Sequence, residues 1–267
     1  MAPTLPPLYF SDASLADLPS ELLAEHVLSF LDWGDWAKMA STQSAWSSLL
    51  TDAAAQSQEA TWELAQALLE GTHGLAPNPS RALSLLESLA SEDVAPAMKQ
   101  LARCYLEGYG VDADAARGQQ WLEEAHTRGK DSDAAHEMAL LFEYGKHGVV
   151  IDVIAAAEWF HKAAEAGHVE AMAELGLCYE LGCGVEQSDE QAIEWYMKAA
   201  EQGHLTAKYS VGEAFEEARG VPQSDEEACL WYYKAAIEGD EDSRKALRRL
   251  EDIARIVVPG VGALLNV

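Results

Sequence analysis

Eight histidines, four cysteines and 45 aspartates and glutamates are the side chains through which this chain could do chemistry. Histidine and cysteine hold metals when they cluster at short spacings, carboxylates move protons, and glycine-rich turns cradle phosphate groups. The sequence has no H-E-x-x-H, no Cys/His quartet at metal spacing, and no Ser-His-Asp or Cys-His arrangement with a local signature. Gly108-Tyr109-Gly110 and Gly182-Cys183-Gly184 have the glycine spacing of a phosphate loop, yet no P-loop lysine follows and no strand pattern precedes them. His168 and His204 share one repeating position, just after a glycine, and Cys104 and Cys178 share another. Features that recur in phase with a larger period are explained by whatever folds with that period. The expectation is a chain with no catalytic residue, no metal and no cofactor.

The period is set by Trp121, Trp159, Trp195 and Trp231, with Leu85 in the place of an earlier one, at intervals of 36, 38, 36 and 36. Each lies 11 residues after a glycine followed by Val or Leu, from Gly74-Leu75 to Gly220-Val221. Upstream of each glycine is an apolar pattern at i, i+4, i+5 and i+8: Ala60/Leu64/Ala65/Leu68, Ala97/Leu101/Ala102/Tyr105, Ala134/Met138/Ala139/Phe142, Ala171/Leu175/Gly176/Tyr179 and Ala207/Val211/Gly212/Phe215. That is one stripe of a helix. Downstream, Ala192/Trp195/Ala199/Ala200 and its counterparts make a second stripe, so each unit predicts helix, glycine turn, helix. Small residues at fixed places suit close helix approach, with aromatics filling the space between units. Gly129, Gly167, Gly203 and Gly239, eight residues after each Trp, predict a left-handed residue ending the second helix, with Asp93 in that place in the first unit.

These residues resemble the Sel-1-like repeat family, a tetratricopeptide-related class, and the unit AMAELGLCYELGCGVEQSDEQAIEWYMKAAEQG matches its pattern almost throughout. The resemblance covers roughly residues 60 to 240 and implies an α-solenoid of about five helix pairs, each burying its neighbour's apolar face. Asp242 to Val257 reads as a capping helix, with Ala246, Leu247, Leu250, Ile253, Ala254 and Val257 apolar, and the tail PGVGALLNV is expected to pack back along the last repeat.

Residues 15 to 50 have no copy later in the chain. Pro19-Ser20-Glu21 makes a helix start with Ser20 as N-cap, and Leu23, Val27, Leu28 and Leu31 recur on one face. So many large apolar side chains on some 35 residues cannot all be buried among themselves, since domains below about 40 residues need help to fold. Either the first repeat covers them, making them a solenoid cap, or a partner does. The segment resembles an F-box, through Leu18-Pro19, Glu21, Leu23, His26-Val27, Leu28, Leu31, Asp35-Trp36, Trp46 and Leu49. That resemblance implies docking on the Skp-type adaptor of a cullin-RING ubiquitin ligase through Leu18, Pro19, Leu23, Val27, Leu28, Leu31 and Trp46.

The whole reads as an all-α chain: a disordered segment 1–14, an F-box-like helical module 15–55, the Sel-1-like α-solenoid 56–241, and a capping helix and tail 242–267. With 18 Lys+Arg against 45 Asp+Glu, the formal charge of −27 repels phosphate backbones and anionic membranes, so neither nucleic acid nor a membrane is the expected partner. No apolar run approaches the roughly 20 residues that span a bilayer, and four cysteines with no N-terminal signal pattern point to a reducing compartment, cytoplasmic or nuclear. The expected function is a non-catalytic substrate receptor that links a target protein to a ubiquitin ligase; the alternative is a plain repeat scaffold whose residues 15–50 are its cap. Variable positions on the first helices, Lys99, Arg103, Glu137, Glu174 and Lys208, are the candidates for holding a target.

Overall fold

A computed structural model describes residues 58–72, 75–258 and 261–262. The F-box-like module, with Ser20 and the docking set from Leu18 to Trp46, lies outside the described residues. Two compact units divide the chain, Met1–Ala113 and Asp114–Val267.

In the first unit, α1 (Gln58–Glu70), α2 (Pro79–Ser91) and α3 (Ala95–Glu107) pack in sequence. The stripe Ala60, Leu64, Ala65 and Leu68 is buried, as is Ala97, Leu101, Ala102 and Tyr105 on α3, and Leu86 and Leu89 of α2 fill the space between. Asn78 caps α2 by accepting from the Arg81 N–H, and Pro79 follows it at the first helical position, where its missing N–H costs nothing. Asp93 takes the left-handed conformation at φ 62°, so aspartate fills the role glycine has elsewhere.

The second unit holds α4 (Ala115–Thr127), α5 (Ser132–Tyr144), α6 (Val153–Glu165), α7 (Val169–Leu181), α8 (Asp189–Glu201), α9 (Leu205–Glu217), α10 (Asp225–Ile237), α11 (Glu241–Arg249) and α12 (Glu251–Val257). Every helix from α4 to α10 has 13 residues, about 20 Å of axis. Consecutive helices pack on one another from α4 to α11, so each antiparallel pair rests on the next. Polar caps start these helices: Asp114, Asp131, Asp152, Ser188, Ser224 and Asp240 each accept from a backbone N–H two or three residues on. Among the described residues all regular structure is helical.

Two expectations shift. The left-handed residue after α4 is Lys130 at φ 55°, not Gly129, because the inserted Lys130–Asp133 stretch moves the chain reversal past the glycine. The capping helix is two helices rather than one: Leu250, at φ −100° and ψ 25°, breaks it. This break turns Ala254, Val258 and Val261 back onto Ala228, Cys229, Tyr232 and Ala236 of α10, where all are buried.

Candidate functional site

One arrangement recurs between first and second helices. Gly176 on α7 faces the ring of Tyr196 on α8 so closely that an added Cβ would stand 2.7 Å from it; Gly212 on α9 faces Tyr232 on α10 at 2.6 Å. Each tyrosine then reaches a carboxylate on the first helix: the Tyr196 hydroxyl donates to Glu180 at 2.7 Å and that of Tyr232 to Glu216 at 2.8 Å. Burial and those bonds push both phenols well above their ordinary range. An arginine from the following unit completes each cluster, Arg219 on Glu180 and Arg249 on Glu216 at 2.6 Å. Arg219 also lies 3.2 Å from Glu217 and 3.5 Å from Glu213. A buried tyrosine, a carboxylate and an arginine could suggest acid–base work, but their recurrence in register marks them as a lock between helices.

Two further ladders run through the same unit. Lys162, Lys198 and Lys234 lie over the rings of Trp159, Trp195 and Trp231 at 3.6, 3.6 and 3.5 Å. His168 and His204 cap α7 and α9: each Nδ1 accepts from a backbone N–H at 3.1 Å, which places the imidazole proton on Nε2. The Nε2 of His204 meets Glu170 at 3.1 Å, and that of His168 lies 3.6 Å from Asp133. His168 and His204, which share one repeat position, are thus helix caps, and no group of three or more metal-ligating side chains occurs among the described residues. All four cysteines are free.

The candidate target-binding residues fall in different settings. Arg103 is exposed and Lys99 half-buried on α3 of the first unit. Glu137 and Glu174 are half-buried on α5 and α7; burial, helped by Glu143 and Glu170, pushes the Glu174 carboxyl above the usual range. Lys208 is only 6% exposed and its ammonium donates to both oxygens of Glu238 at 2.6 Å. The pair ties α9 to the C-terminal end of α10. Sequence reasoning passed over Tyr144, Leu177 and Leu181, which are 56%, 41% and 61% exposed at the ends of α5 and α7. Aligning the last turns of the first helices would have found them, since other repeats carry charged or polar residues there.

The Sel1 repeat model matches residues 58–94, 95–129, 132–168, 169–204 and 206–240, and no F-box model matches the chain. Among curated proteins, chitin synthase regulatory factor 3 of Schizosaccharomyces pombe is 34% identical over 132 residues. That match takes in 47% of this chain but only 14% of the yeast protein. A Sel1 repeat protein from Oxalobacter formigenes has a similar structure, with TM-score 0.60 and 25% identity over 79% of this chain and 86% of the other. A protective antigen of uropathogenic Escherichia coli displaying an SLR fold is similar at TM-score 0.63 and 24% identity, over 85% of this chain and 50% of that one.

Proposed function

The chain belongs to the Sel1 repeat family, and from that premise we propose that it is a scaffold that holds other proteins and performs no chemistry itself. One observation carries the reading. Residues alike at equivalent positions of the repeats, Gly176 and Gly212, Tyr196 and Tyr232, Glu180 and Glu216, interlock the helices, whereas Tyr144 and Leu181, apolar at a position where the other three repeats carry glutamate, face outward. Packing accounts for the first set and leaves the second available for recognition. The regulatory role in the yeast relative's name agrees with a protein that acts through others. The test is native affinity purification of the tagged full chain beside a Leu175→Asp variant, whose fully buried leucine α7 needs. Stoichiometric partners on the wild type alone support a scaffold; a wild-type chain that elutes alone argues against it.

A narrower reading rests on the F-box resemblance of residues 15–50: the scaffold is a substrate receptor whose Leu18, Pro19, Leu23, Val27, Leu28, Leu31 and Trp46 dock a Skp-type adaptor. Co-purification with a Skp-type adaptor tests it. Binding that Leu28→Asp abolishes supports the receptor; no binding, where a known F-box binds, leaves the plain scaffold.

A further inference from the structure

The last turns of the first helices break the repeat in one place. Their final residue, and the one four earlier, are Glu70 and Gln66 in the first repeat, Glu107 and Arg103 in the second, and Glu217 and Glu213 in the fifth. In the third and fourth they are Tyr144 and Leu140, then Leu181 and Leu177. Since three repeats fold with polar residues at these sites, packing does not require apolar ones, yet Tyr144, Leu177 and Leu181 are exposed. The change continues into the turn before α6, where Val150 and Ile151 are 82% and 61% exposed and the fourth repeat has Glu186 and Gln187. Exposed apolar residues that the fold does not need mark an interaction surface.

A second break lies beside the first. Glu143 occupies the register position of Glu180 and Glu216, each of which accepts from a tyrosine and an arginine. In the third repeat Phe160 stands where the tyrosine would be and Cys183 where Arg219 would be. Neither donor exists, and Oε2 of Glu143 is buried with no hydrogen-bond partner among the described residues. A buried carboxylate oxygen without a donor is costly. Glu174 lies close enough that Glu143 contributes to the rise of its carboxyl, and Glu143 helps to raise the Tyr144 phenol too. Lys146 lies over the Tyr144 ring, 5.2 Å from its centroid.

We propose that this surface docks a segment of a partner protein bearing an arginine or lysine among apolar residues. Its cation meets Glu143 as Arg219 meets Glu180, and its apolar side chains lie on Tyr144, Leu177 and Leu181. Charge complementarity selects this occupant: a chain of formal charge −27 attracts a basic segment and repels a second copy of itself. The inference rests on the scaffold reading and names the partner's chemistry.

Fluorescence anisotropy on the full chain tests it with three labelled peptides of equal length, built from Leu and Arg, Leu and Glu, or Ser and Arg. The Leu/Arg peptide is expected to bind at least about tenfold more tightly than either other peptide. Glu143→Gln, nearly isosteric, and Leu181→Glu, which copies the fifth repeat, should each weaken it by about five- to tenfold. Cys183→Arg, which copies the position of Arg219, should also weaken it while raising the melting temperature. Equal binding of the Leu/Arg and Ser/Arg peptides, or indifference to Glu143→Gln and Leu181→Glu, overturns the proposal. If native purification still yields partners after such a result, the scaffold reading stands without it; a chain that binds the peptide yet purifies alone overturns the scaffold instead.

Discussion

Tyr196 donates its hydroxyl to Glu180 across the α7–α8 contact at 2.7 Å while its ring covers Gly176 one turn away. The same pair of contacts joins Tyr232 to Glu216 and Gly212. A single residue thus fills the space between two helices and fixes their register through a directional bond. Because the carboxylate also takes an arginine from the next unit, the bond ties three elements together. Tyr196→Phe keeps the ring and removes the donor, so it should cost about 1.5–3 kcal/mol in urea unfolding, the range for a hydrogen bond to a charged group.

Gly212→Ala tests the other half of that contact. Alanine is the better helix former by about 1 kcal/mol, but its Cβ would stand 2.6 Å from the Tyr232 ring. Overpacking of this kind costs about 1–3 kcal/mol, so the net effect should be destabilising by circular-dichroism melts. Tyr232→Leu in the same chain should make Gly212→Ala neutral or favourable, because the ring it meets is gone.

His136 of α5 stacks on His168 with ring centroids 4.2 Å apart and planes 18° apart, and Phe160 of α6 tilts against it at 5.9 Å. Burial and then His168 push the His136 imidazole below its ordinary range, against the smaller opposing pull of Glu170 and Asp133. An unfolded chain takes up this proton at the ordinary value near 6.5 and the folded chain does not, so His136 makes stability fall as pH drops below that value. Urea unfolding at pH 7.5 and pH 5 should therefore show a larger acid loss for wild type than for His136→Gln.

Thiol reactivity separates the four cysteines. Burial pushes the Cys178 thiol to about 12 and that of Cys229 to about 11, and raises Cys104 as well, whereas Cys183 is exposed. The thiolate is the reacting form, so iodoacetamide at pH 8 should label Cys183 first in the folded chain. Peptide mass mapping reads the order, and simultaneous labelling of all four would contradict the packing described.

The repeat was legible because Gly176, Tyr196 and their counterparts recur at fixed intervals, and those intervals are the helix contacts themselves. What escaped was set by contacts the period does not encode. The turn after α4 passes its left-handed residue from Gly129 to Lys130 because the insertion there has no equivalent. Leu250 divides the capping segment, although its apolar spacing reads as one helix, because the second piece folds back onto α10. Lys208 is variable in sequence yet spent on Glu238, 30 residues away. Glu143 escaped for a similar reason: its distinction is a missing tyrosine 17 positions on and a missing arginine 40 positions on, visible only when Glu180 and Glu216 show what normally fills them.

The scaffold itself is tested most directly by native affinity purification of the tagged full chain from the cells that make it, followed by cross-linking mass spectrometry. A scaffold predicts stoichiometric partners whose cross-links fall on the repeats, and their loss in Leu175→Asp. A wild-type chain that purifies alone, with cross-links only within itself, would contradict the account.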